Sequence, residues 1–162
     1  MQMIHVYKNL AIAGGLLAVS CTGGAAFADN EVFEVTHTDQ EWRQSLSPEA
    51  YQVMRHEDTE PPGSSDLDPE ERKGAYLCAG CDLPLFSSDT KFHSGTGWPS
   101  FYAPRDAETV GEQSDNSWFM RRTEVHCNRC EAHLGHVFPD GPKPTGLRYC
   151  INGVALTFEP ES

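Results

Sequence analysis

The rhythm of apolar and polar positions changes several times along this chain, and the changes divide it. Leu10 to Val19 is an apolar run without charge, preceded by a segment whose one charged residue is Lys8 and followed by Ala26-Phe27-Ala28, a small-x-small cleavage form. That order predicts a secretory signal peptide over residues 1–28, cut after Ala28. The run is short of the ~20 residues a membrane span needs and is broken by glycines, which disfavours an uncleaved anchor. A lipidated Cys21 is a lesser alternative, with Ala18-Val19-Ser20 before it. After the leader the period becomes helical. Thr38-Asp39-Gln40-Glu41 has the capping-box form, Trp42 and Leu46 lie four apart on one face, and Ser47-Pro48-Glu49 restarts a helix with a cap and a first-turn proline. Two short helices are predicted between about Asp39 and Arg55.

Thr59 to Ser65, with two prolines and a glycine, breaks all regularity, and Leu67 to Lys73 is polar enough for a surface loop. Beyond it the pattern is of short strands: Ala75 to Leu77, Leu83 to Phe86, Ser117 to Val125, and a terminal hairpin of Leu147 to Asn152 with Val154 to Phe158 turning at Asn152-Gly153. The expected fold is mainly β, with antiparallel sheets, long connections and a short N-terminal helical segment. At 162 residues and 38% hydrophobic, the chain has material for one core, placed in residues 29–162.

Charge removes several functions. With 12 Lys and Arg against 24 Asp and Glu, and only Lys8 lost with the leader, 11 against 24 leaves the remainder at −13. Such a field repels phosphate backbones and anionic membrane surfaces, which argues against a nucleic-acid partner. No phosphate-binding glycine motif and no hydrolase nucleophile elbow occurs, and no membrane span remains after cleavage.

The cysteines carry the chemistry. Cys78/Cys81 and Cys127/Cys130 are two Cys-x-x-Cys pairs with 45 residues between them, each among strand-like segments, and together they can supply four thiolates to one structural zinc ion. The competing reading is a redox disulfide, but such motifs sit at strand-to-helix junctions and neither pair does. Without Cys21 five cysteines remain, an odd number that leaves Cys150 over as a free reactive thiol or an intermolecular partner. In a strand, Arg148 and Asn152 share a face with Cys150 and supply charge and a hydrogen bond that favour the thiolate. His133 and His136 follow the second pair; imidazoles titrate near neutrality and serve as acid or base, though each reads as readily as a satisfied structural residue. Trp98 and Phe101, in a turn-rich loop, either plug the core or line a pocket.

Cys78-x-x-Cys81 followed by Pro84-Leu85-Phe86-Ser87-Ser88, then Gly97-Trp98-Pro99-Ser100-Phe101, Ala132-His133-Leu134-Gly135-His136-Val137-Phe138, Asp140-Gly141-Pro142 and Arg148-Tyr149-Cys150-Ile151-Asn152, resembles the B-type peptide-methionine-(R)-sulfoxide reductase family, in family order from Glu41-Trp42 to Leu156. The resemblance implies a pair of antiparallel sheets with zinc on Cys78, Cys81, Cys127 and Cys130, away from the active site. It implies Cys150 as the nucleophile that becomes a sulfenic acid, and His133 and His136 as the groups that hold and protonate the sulfoxide oxygen. Arg148 and Asn152 match polar neighbours of the nucleophile, Trp98 the indole that receives the substrate methyl, Phe138 a further wall, and Asp140 a polar residue near the histidines. Oxidised proteins are the implied substrates. Many family members carry a resolving cysteine where this chain has Thr96, so recycling is expected to use an external thioredoxin-like or small-molecule thiol. A non-catalytic zinc-knuckle binding module, the other class considered, has no use for Arg148, Cys150, Asn152 and both histidines together.

Overall fold

The computed structural model describes residues 32–116 and 121–162, so the expected signal peptide and Cys21 lie outside the described residues. The chain from Val32 to Ser162 is one compact unit. Local chemistry builds its helices as expected. In α1 (Asp39–Ser45) Thr38 and Glu41 cap each other reciprocally, and in α2 (Pro48–His56) the Ser47 hydroxyl accepts from the Ala50 amide at 3.1 Å with Pro48 in the first turn. Glu57 closes α2 in the left-handed conformation. Trp42, Ala50, Tyr51, Val53 and Met54 are buried, so both helices use one face against the core.

The rest is β, in two antiparallel sheets. The smaller has order β2-β1-β9, from β1 (Gly74–Cys78), β2 (Pro84–Ser87) and β9 (Leu156–Pro160). The larger has order β3-β4-β8-β7-β6-β5, from β3 (Lys91–Phe92), β4 (Ser100–Phe101), β5 (Val110–Asp115), β6 (Arg122–Cys127), β7 (His133–Phe138) and β8 (Arg148–Ile151). Aromatic rings join the sheets: Phe86 of β2 stacks on Phe101 of β4 at 4.4 Å between centroids, and Tyr76 of β1 meets the same ring edge-on at 4.9 Å. Such pairs contribute about 0.5–1.5 kcal/mol each beyond their area. No helix among the described residues is long and apolar enough to cross a membrane.

Two expectations need correction. The terminal hairpin does not form. β8 and β9 belong to different sheets, and Asn152-Gly153 leads into a single 3-10 turn, Gly153–Ala155, before β9 pairs with β1. A long-range bond decides this: both oxygens of the buried Glu60 carboxylate are taken by the Gly153 and Val154 amides, at 2.6 and 3.0 Å. The strand expected over Ser117 to Val125 is found from Arg122 to Cys127, with residues 117–120 outside the described residues.

Candidate active site

Cys150 lies at the centre of the larger sheet, where β8 is flanked by β4 and β7. Its direct partners in register are Ser100 and His136, and residues directly opposite in antiparallel strands project from the same face. Ser100, Cys150 and His136 therefore form a row across three strands. The loop before β4 adds a hydroxyl: Thr96 Oγ1 lies 3.8 Å from Cys150 Sγ, and Ser94 Oγ, 2.8 Å from both Thr96 Oγ1 and Ser100 Oγ, ties the two hydroxyls together. Burial pushes the Cys150 thiol up, against the Thr96 hydrogen bond, the Arg148 charge and the Ser100 hydroxyl, which all pull it down. Arg148 thus favours the thiolate as the sequence suggests, but desolvation outweighs it and the hydroxyls, and the Asn152 side chain bonds Glu60 and Leu134 instead.

His133 and His136 are three apart, which in a regular strand points them to opposite faces. A register shift between Val125 and His126 of β6 breaks the alternation, and both imidazoles line one polar cavity of about 340 Å3, 5.4 Å apart between centroids. Gly135 between them has no room for a side chain, since a Cβ there would sit 2.1 Å from the Cys150 carbonyl oxygen. Each imidazole leans on a carboxylate. His133 Nδ1 is 2.6 Å from Glu124 Oε1, and His136 Nε2 is 3.0 Å from Asp115 Oδ2, which also accepts from the Arg122 guanidinium at 2.7 Å. Burial lowers the pKa of His136, with Asp115 opposing and the Arg122 and His133 charges adding to the effect, so the imidazole is held neutral at neutral pH.

A second cavity, of about 140 Å3, shares His136 with the first and adds Cys150, Gly135, Trp98, Phe138 and Asn152. Its walls are fixed. Trp98 Nε1 donates to the Glu60 carbonyl at 3.1 Å, and the Asn152 side chain accepts from the Glu60 amide at 3.1 Å and donates to the Leu134 carbonyl at 3.0 Å. Glu60 thereby holds Trp98, Asn152 and the turn after Cys150 through four hydrogen bonds. Asp140 stands outside this cavity; its carboxylate takes a two-point bond from Arg148 at 2.9 Å each, and the guanidinium lies over the Phe138 ring at 4.5 Å. The pair buttresses a cavity wall. Sequence reasoning missed Glu60, Glu124, Asp115, Ser94 and Ser100. Glu60 fell in a segment that signals only a break, and a carboxylate that becomes buried by long-range pairing leaves no periodic mark.

Cys78, Cys81, Cys127 and Cys130 come together where β1 and β6 end, all as free thiols, with their sulfurs within 4.8 Å of one another. The Cys78–Cys130 and Cys81–Cys127 separations, 3.7 and 3.6 Å, suit the ~3.8 Å edge of a tetrahedron with ~2.3 Å metal–sulfur bonds. Hydrogen bonds among the sulfurs pull the Cys127 thiol well down and push Cys78 up. The donors fit one soft, four-coordinate metal ion. Arg129 and Arg55 donate to the Cys81 and Cys130 carbonyls beside it.

Residues 46–160 match the SelR domain. The chain belongs to this family. Curated relatives of the SelR-domain chain are named peptide methionine sulfoxide reductase MsrB: that of Pseudomonas putida (strain W619) is 58% identical over 127 residues, covering 78% of this chain and 96% of the relative. Those of Methanosarcina mazei and Leptospira interrogans are 53% and 50% identical over 128 and 129 residues, covering 79% and 80% of this chain and 91% and 98% of theirs. The family is one of oxidoreductases, and this member is an enzyme of the methionine sulfoxide reductase B type.

Proposed function

We propose that the enzyme reduces methionine R-sulfoxide in oxidised proteins, with Cys150 as the nucleophile. The observation that supports this reading best is the cross-strand pairing of Cys150 with His136 beside a small cavity bounded by Trp98 and Phe138. The indole and the phenyl ring take the substrate methyl, while the sulfoxide oxygen turns toward the imidazoles. Placing methyl, oxygen and lone pair separately selects one sulfur epimer. A thiol kept protonated by burial brings its own proton. As Cys150 Sγ attacks the sulfoxide, that proton passes by way of the His136 and His133 imidazoles to the sulfoxide oxygen, which is otherwise a poor leaving group. The sulfoxide S–O bond breaks, a new S–O bond forms on Cys150, and methionine leaves: the substrate gains two electrons and Cys150 becomes a sulfenic acid. Arg148 and Asn152 hold this arrangement.

Regeneration consumes two external thiols. The first displaces the sulfenic oxygen as water and forms a mixed disulfide; the second releases Cys150 and an oxidised dithiol. Thr96 occupies the place nearest Sγ where a resolving sulfur would serve, and the other described cysteines form the metal set. A thioredoxin-like protein or a small-molecule thiol is the donor. Zinc is the ion proposed for Cys78, Cys81, Cys127 and Cys130; it contributes folding free energy through a closed coordination shell and takes no part in the chemistry. The leader over residues 1–28 directs the enzyme to an extracytoplasmic compartment, where it repairs envelope proteins. Turnover of blocked methionine R- and S-sulfoxides with dithiothreitol tests the reading. The R epimer is consumed by wild type and not by Cys150→Ser, and Trp98→Ala retains reduced activity. Equal rates on both epimers, or turnover by Cys150→Ser, overturns it.

A further inference from the structure

Glu124 is 5% exposed and both of its carboxylate oxygens are occupied: Oε1 lies 2.6 Å from His133 Nδ1, and Oε2 accepts from the Gln113 side-chain amide. With its two ends held from β5 and β7, the carboxylate cannot turn away. A carboxylate accepts only, so the ring proton of His133 belongs on Nδ1, and the neutral imidazole presents Nε2 as a bare acceptor. That Nε2 is buried and has no hydrogen-bond partner among the described residues, in a ring that lines the polar cavity shared with His136. A buried acceptor left unpaired is costly, and one in a cavity that adjoins the nucleophile's cavity through His136 is placed to receive a proton.

We propose that Glu124 is a positioning residue that fixes the tautomer and orientation of His133 and stabilises its imidazolium while a proton is in transit to the sulfoxide oxygen. The inference rests on the reductase reading above and adds a residue outside its substrate cavity. Burial works to raise the Glu124 carboxyl, but the hydrogen bonds from His133 and Gln113 and the charges of His133 and His126 prevail and lower it, so the negative charge is present at neutral pH. The other charged and titratable groups around His133 are His136 on its own strand, His126 opposite it on β6, and Asp115, Arg122, His56, Glu57 and Asp58 around the cavity. Glu124 differs from these in hydrogen-bonding the ring.

Glu124→Gln keeps the shape and removes the charge. The expected result is a fall in kcat of about 100-fold, the lower range of a general acid's contribution, with KM changed by less than about threefold. Loss of the charge disfavours the imidazolium, and a ring already protonated cannot accept, so the acid fall of kcat moves to lower pH. Glu124→Asp restores part of the rate. Metal content and thermal stability of each variant are measured alongside. In wild type, 15N spectra of the imidazoles at alkaline pH show His133 as the Nδ1–H tautomer. A folded Glu124→Gln enzyme with wild-type kcat and pH profile overturns the proposal, as does an Nε2–H tautomer in wild type. The spectra decide the matter if the variant fails to fold, and also if wild type proves to have no sulfoxide turnover, a result that would overturn the reductase reading separately.

Discussion

At the scale of single residues, Cys150 is poised between opposing influences. Its burial keeps the proton on, while the Thr96 and Ser100 hydroxyls and the Arg148 charge make removal easier. Taking away one donor should move the thiol further up. Thr96→Val therefore slows alkylation of Cys150 by iodoacetamide at pH 7 by about three- to tenfold, and the rate recovers only at higher pH. An unchanged pH–rate curve for alkylation would show that the Thr96 hydroxyl does not act on the sulfur. The same position governs the fate of the oxidised sulfur. After a single turnover without reductant, wild type should hold Cys150 as a sulfenic acid that a dimedone-type reagent traps, whereas Thr96→Cys, with a sulfur near the 3.8 Å contact of the present hydroxyl, should close a disulfide to Cys150. Mass spectrometry separates the two outcomes. A wild-type product linking Cys150 to Cys78, Cys81, Cys127 or Cys130, with metal released, would make a metal ligand the resolving thiol.

Between residue and molecule stand the elements, and the junction of β7 with β8 bears the most. Gly135 lets the strands close at the nucleophile; a methyl group there meets the Cys150 carbonyl at 2.1 Å and must displace backbone. Gly135→Ala should cost about 1–3 kcal/mol in urea unfolding, and its loss of activity should exceed that of an equally destabilising change in β9. Elements governed by local chemistry were legible in the sequence. The Thr38–Glu41 capping box and Pro48 gave both helices, and the strands beside Cys78 and Cys81 came from short strand-like runs on either side of the pair. β5 was not legible, because Glu112, Gln113 and Ser114 are polar and exposed, without alternation, on an edge strand held by its ladder to β6. β7 was hidden by two histidines and a glycine in six residues, whose chemistry drew attention to the site and away from the backbone. Asn152-Gly153 gave a true local signal for a hairpin that Glu60, 93 residues from Gly153, overrides. The residue types around Cys150 could be named from motifs, but not the carboxylates that hold them.

For the molecule as a whole, the four-cysteine set is the covalently nearest thing to a rivet between the sheets. Cys78 ends β1 in the smaller sheet and Cys127 ends β6 in the larger, so one ion on these sulfurs spans both. Cys127→Ser should lose metal and thermal stability together, checked by elemental analysis and calorimetry on the same sample; a metal-free wild type with an unchanged melting temperature would contradict a structural role. The second join between distant parts is β1 itself, paired on one side with β2, its neighbour in sequence, and on the other with β9, the last strand. A ribosome delivers β1 and β2 long before β9. Throughout that interval the free side of β1 offers unpaired amides and carbonyls to any strand that passes, the commonest starting point for aggregation. A chain cut short before Leu156 would keep that side open for good, and would be adhesive as well as inactive.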